Sequence, residues 1–93
     1  MIITFGDART ERLFHGDVVK GLSHPLQRSA LRKLMMLDAA DNLHDLTRPP
    51  GNRLQALHGT LEGFHSIRVN DQWRICFRWR LGHATDVHLI DYH

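Results

Sequence analysis

Cysteine is almost missing from this chain. The single one, Cys76, leaves no partner for an intramolecular disulfide and excludes any cysteine-built zinc site, usage that fits a reducing compartment. Long apolar runs are also missing, so nothing approaches the ~18 residues that suggest a membrane span. The opening MIITFGDART has no basic segment, sustained apolar stretch or small-residue cleavage site, so it does not read as a signal peptide. A soluble, cytoplasmic protein with no membrane partner is expected. There is no large excess of either charge, only a formal +2, which is not by itself the signature of a nucleic-acid binder. Repeats, low-complexity segments and linkers are absent, and 93 residues make a single domain, 1–93.

What is present is distributed unevenly. Residues 1–47 carry 6 basic and 6 acidic side chains, whereas residues 48–93 carry 6 basic against 4 acidic ones. Every basic residue of the second half is arginine, the side chain that can grip a phosphate bidentately. Hydrophobic residues make up 42% of the chain, enough for a small core between two layers.

The patterning predicts a short strand at residues 2–5, a short helix at 8–19 weakened by Gly16, and an amphipathic helix at 25–43. Ser23 and Pro25 suit the start of the second helix, and Leu26, Ala30, Leu34, Leu37 and Ala40 form its stripe, widened by Leu31 and Met35. Pro49, Pro50 and Gly51 forbid regular structure in the next loop. A short extended or turn segment at 54–59 precedes a three-stranded meander at 64–69, 73–79 and 84–92.

Period-2 alternation divides the middle strand. Trp73, Ile75, Phe77 and Trp79 fall on one face, expected to pack on the helix; Arg74, Cys76, Arg78 and Arg80 fall on the other. Like charges in a row need acidic partners, for which Asp86 and Asp91 are available, or an outside anion such as an RNA backbone. The chain stops on Asp91-Tyr92-His93, which combines two proton-transfer groups with a ring that stacks on a base. Their placement depends on register. If Leu81-Gly82 is a two-residue hairpin, Arg74 faces Leu89, and Asp91 and His93 follow on its side of the sheet. A one-residue change in loop geometry puts Tyr92 there instead.

The run from Phe64 to Trp79, FHSIRVNDQWRICFRW, together with the terminal Asp91-Tyr92-His93, resembles HigB-type toxins of the RelE/ParE superfamily, and the likeness extends over the whole chain. It implies a RelE-like α/β (α+β) fold of order β-α-α-β-β-β, with an antiparallel sheet packed against an N-terminal helical hairpin. It implies a ribosome-dependent mRNA endonuclease working in the A site of the 70S ribosome, held in check by a HigA-like helix-turn-helix antitoxin. By the same resemblance His58, Asp91 and His93 are catalytic, Arg74 and Arg68 bind the substrate phosphate, and Tyr92 stacks on a base. The loop Gly59-Thr60-Leu61-Glu62-Gly63 departs from the family in being short and acidic, and Arg53 or Arg48 could replace the basic contact it lacks.

These residues suit RNA cleavage. The 2′-OH is the nucleophile; histidine or aspartate can move the protons, and arginine can stabilise charge on the phosphoryl oxygens. Which group is base and which is acid stays open. No metal and no cofactor are expected, because no motif such as His-Glu-x-x-His appears. The alternative is a non-enzymatic ParE-like or degenerate toxin that acts by protein binding.

Overall fold

A computed structural model describes residues 1–92, so one expected site residue, His93, lies outside the described residues. Two helices, α1 (Ala8–Phe14) and α2 (His24–Ala39), precede four strands: β1 (Gln55–Ala56), β2 (His65–Arg68), β3 (Trp73–Arg80) and β4 (His83–Asp91). The strands form one antiparallel sheet in the order β1-β2-β3-β4, and the helices pack on one face of it. This is the α+β arrangement expected. Among the described residues no helix is long and apolar enough to cross a membrane.

The helix stripe does what its spacing suggests. Leu26, Ala30, Leu34 and Leu37 are buried against Ile67, Ile75, Phe77, Val87 and Leu89 of the sheet. Met35 is the exception; it sits at the edge of the stripe and is 59% exposed. The Ser23 hydroxyl accepts from the Leu26 amide and caps α2 as expected.

Both helices stop earlier than expected, for local reasons. Gly16 adopts φ 87°, which ends α1 at Phe14 rather than near Val19. Beyond α2, the Asn42 side chain accepts from the Asp45 amide while Asp45 accepts from Asn42, a reciprocal cap that starts a separate 3₁₀ turn at Leu43–Thr47. Extending α2 through Leu43 would forfeit that cap.

The expected strand at residues 2–5 is reduced to two isolated parallel bridges, Ile2 to Ala84 and Phe5 to Val87, along the outer side of β4. Between them Asp86 adopts φ 52°, and its amide is bonded by the Thr4 hydroxyl instead of a carbonyl. The cause is a β-bulge. Arg78 pairs with Thr85 but Cys76 pairs with His88, so Asp86 and Val87 both stand opposite Phe77. The hairpin itself is the two-residue turn expected, with Leu81 at φ 51° and Gly82 at φ 80° between the paired Arg80 and His83.

Replacing the fully buried Leu34 by alanine should cost about 2–5 kcal/mol, whereas Met35→Ala should stay within about 0.5 kcal/mol. Urea denaturation of the two variants checks both; equal losses would mean that the stripe is misassigned.

Candidate active site

The bulge decides which terminal residue meets the arginine row. Above it Arg74 stands opposite Ile90 and Trp73 opposite Asp91. Residues directly opposite share a face, so Tyr92 falls on the Arg74 side and Asp91 on the Trp73 side. The side-chain contacts agree: the Arg74 guanidinium lies 5.7 Å from the centre of the Tyr92 ring, while Asp91 accepts from Gln72 Nε2 at 3.0 Å. Of the two placements that the sequence left open, Asp91 or Tyr92 on the Arg74 side of the sheet, one inserted residue selects Tyr92.

Arg74 is 93% buried in spite of its charge, with only 7% of its surface accessible. Its Nε donates to the Ser66 hydroxyl at 2.7 Å, and Nη2 donates to the Ser66 carbonyl at 3.3 Å and the Arg53 carbonyl at 2.5 Å. Nη1 has no hydrogen-bond partner among the described residues and is left for an incoming oxygen. Burial is the main influence lowering the Arg74 pKa, and the neighbouring Arg68 and Arg53 cations push the same way. An arginine stays charged regardless, so the result is a desolvated cation that an anion would stabilise.

Arg53 reaches the site because the loop before it is nailed down. Asn52 is fully buried; its amide donates to the carbonyls of Leu46 and Arg48, and its oxygen accepts from Lys33 on α2. Arg53 then turns the chain in the left-handed region, φ 45° and ψ 55°, which brings its carbonyl to Arg74. Arg53, Arg68, Arg74, Asn70, Asp71 and Tyr92 together line an open cleft of about 260 Å³. Arg68 is held at 2.5 Å by the fully exposed Asp71, a surface pairing that contributes little and can be exchanged for a phosphate.

His58 lies across Tyr92 from the arginines. It is exposed, follows the buried Leu57, and shares a second hollow with Gln55, Leu61 and Tyr92. The Gln55 amide nitrogen is 3.3 Å from the Tyr92 hydroxyl. Tyr92 is thus the wall common to both hollows. Its own position is set from behind, where its amide donates to the Gln72 carbonyl at 2.7 Å and the Gln72 side chain holds Asp91. Of the residues expected from sequence, Arg74, Arg68 and Tyr92 converge, His58 borders them, and Asp91 points to the other face. The remaining strand arginines do not join them: Arg78 pairs with Asp86 at 3.4 Å and covers the Phe64 ring.

Ser66, Asn52 and Gln55 escaped the sequence reading. Ser66 had a usable signal, since antiparallel pairing of β2 with β3 puts it beside Cys76 and two pairs from Arg74, on the same face. Asn52 and Gln55 act through contacts distant in sequence and had none.

The chain matches, over residues 3–93, the model of a family described as the RelE-like toxin of type II toxin–antitoxin system HigB. It is 40% identical over 90 residues to Toxin HigB-1 of Vibrio cholerae, covering 96% of this chain and 95% of that protein. It is 31% identical over 93 residues to Endoribonuclease HigB of Proteus vulgaris, covering 100% of both. Among solved structures it resembles the YoeB-YefM complex from Staphylococcus aureus, with a TM-score of 0.62 at 18% identity, covering 100% of this chain and 95% of that one. That last likeness concerns the fold.

Two outcomes test this geometry. Asp86→Gly should be neutral or mildly stabilising, and Asp86→Val should cost about 1–2 kcal/mol, because a β-branched residue resists the left-handed bulge conformation. Thermal denaturation distinguishes them. Burial also pushes the Cys76 thiol up to about 11. It should resist thiol reagents at about pH 8.5, where an exposed thiol is half ionised, and react only as the protein unfolds in denaturant.

Proposed function

The chain belongs to the HigB-like family of RelE-like toxins from type II toxin–antitoxin systems, and from that premise we propose that it is an endoribonuclease that cuts mRNA in the ribosomal A site. The observation that carries the proposal is the convergence of Arg53, Arg68 and Arg74 beside Tyr92 in one open cleft. Three cations gathered with a single exposed acid suit a phosphodiester, and the exposed ring of Tyr92 suits a base stacked next to it.

In this scheme the scissile phosphate sits against Nη1 of Arg74, with Arg68 and Arg53 at its other oxygens, so the charge that builds during in-line attack by the 2′-OH meets donors already in place. The proton transfers fall to His58, across Tyr92, and to His93 at the chain end, with base and acid roles unassigned. Imidazoles suit both steps because their ordinary pKa of about 6.5 lies near physiological pH. Asp91 acts one step removed: through Gln72 it fixes the strand end that presents Tyr92. Protonatable groups and guanidinium groups complete the reaction without a metal ion. A HigA-type helix-turn-helix antitoxin would be the natural inhibitor, since the family works in toxin–antitoxin pairs.

The test is message cleavage in a purified translation system with and without ribosomes. Cuts should appear only on translated messages, because an open cleft of this size grips few nucleotides of free RNA. Arg74→Gln should slow cutting by about 10²–10³-fold, and His58→Ala by about 10²–10⁴-fold. Asp91→Asn should lose much less, since an amide oxygen still accepts from Gln72. Supercoiling inhibition without RNA cuts would overturn the proposal in favour of a ParE-like toxin.

A further inference from the structure

We propose that Asp71 is a specificity-determining residue of the arginine cleft: its carboxylate holds Arg68 in the place of a phosphate and so disfavours RNA that the ribosome does not present. The inference rests on the RNA-cleaving reading above and adds to it how the site discriminates against free RNA.

Two arginines stand opposite each other on β2 and β3, Arg68 and Arg74, and they are compensated in opposite ways. Arg74, the more buried, is held by the Ser66 hydroxyl, the Ser66 carbonyl and the Arg53 carbonyl, all neutral. Arg68 is the one that carries a carboxylate: Asp71 Oδ1 accepts from its Nη2 at 2.5 Å. Burial calls for the reverse, since a desolvated charge gains most from a counter-ion. Fold stability does not account for the pair either. The Asp71 side chain is fully exposed, and ion pairs of that kind contribute little to folding. What the pair does change is the ligand site, because Asp71 is the one acid among the described residues that line the cleft. A carboxylate and a phosphate offer a guanidinium the same kind of acceptor oxygens, so Asp71 stands where a phosphate oxygen would.

The carboxylate is in position before any RNA arrives. Asp71 sits in the turn between β2 and β3, and Asn70 ties that turn together: its Oδ1 accepts from the amides of Gln72 at 2.9 Å and Trp73 at 2.8 Å. The amides of Val69 and Asn70 close the turn on the Trp73 carbonyl. The Asp71 carboxylate takes no part in this, so it can be neutralised without loosening the turn. A phosphate entering the cleft must displace the carboxylate from Arg68 and then lie beside it, against like-charge repulsion. Free RNA meets that cost at its own dilute concentration. A message held in the ribosomal A site is presented at a high effective concentration, which offsets the same cost.

The experiment has two arms. In the first, a 2′-deoxy tetranucleotide, which lacks the nucleophile and cannot be cut, is titrated into the isolated protein and followed by NMR at several salt concentrations. Asp71→Asn should bind it about 2–5-fold more tightly, the scale of an exposed ion pair. The salt dependence should steepen by about 0.7 in log–log slope, as for one further phosphate contact on a single strand. In an Arg68→Gln background the same change should bring little gain, because the cation that it releases is gone. Unchanged affinity in the folded Asp71→Asn variant would overturn the proposal. So would an equal gain with and without Arg68, which would make Asp71 a general negative charge and not a competitor. In the second arm, the tetranucleotide is added as a competitor while the protein cuts messages on ribosomes kept below saturation. The concentration that halves cutting should fall about 2–5-fold for Asp71→Asn. An unchanged concentration would overturn the discrimination against free RNA while leaving the nuclease reading intact. Tighter, Arg68-dependent binding in the first arm with no RNA cut in the second would instead remove the nuclease reading and leave Asp71 standing as the competitor.

Discussion

The extra residue that β4 carries opposite Phe77 sets the parity of everything after it. A strand alternates its faces strictly, so one inserted residue exchanges the two sides of the sheet for every following position. Below the bulge, β4 keeps the plain hairpin register from the Leu81-Gly82 turn. Above it, Leu89 stays in the core opposite Ile75, and Tyr92 is delivered to the arginine face. The same insertion breaks the parallel run of the N-terminal segment into two bridges. Asp86 sustains the kink in a left-handed conformation that short polar side chains tolerate better than branched ones.

The second constraint is a buried charge. Desolvating a guanidinium is expensive unless its donors are satisfied, and Arg74 meets that demand with a hydroxyl and two carbonyls rather than with a carboxylate. A carboxylate there would neutralise the site and compete with a phosphate. Neutral acceptors hold the side chain while leaving its charge uncompensated. The arrangement also joins two distant parts of the chain, because the Arg53 carbonyl can serve Arg74 only while Asn52 anchors the loop to α2. Cleft geometry and loop packing therefore stand or fall together, and a change at Asn52 is felt in the arginine cleft without touching it.

Much of the frame was legible from residue pattern. The helix stripe, the capping serine, the meander and the two faces of β3 rest on periodicities of the chain itself, and packing reinforced them. The errors fall where a local interaction competed with the pattern. Gly16 and the Asn42–Asp45 cap shortened the helices, and Met35 drifted out of a stripe that seven-residue spacing follows only approximately. At the site, the arginine and aromatic residues were legible because their chemistry is specific. Asn52, Ser66 and Gln55 were not, because a neutral amide or hydroxyl gains its role from what lies opposite it in space.

The sequence by itself determined the α+β class, an arginine-bearing strand, a tyrosine one residue before the end of the given sequence and a family likeness carried by those motifs. Alternation, helical spacing and turn residues are local properties, and they survive without knowledge of the fold. Only the tertiary structure decided that Tyr92 rather than Asp91 meets Arg74, that Arg53 becomes the third arginine of the cleft, and that Tyr92 separates it from the hollow of His58. Each of these depends on a bulge or on a loop pinned from another element. Strand parity and long-range hydrogen bonding are settled by the packed sheet as a whole, because a single inserted residue changes the face of every residue beyond it.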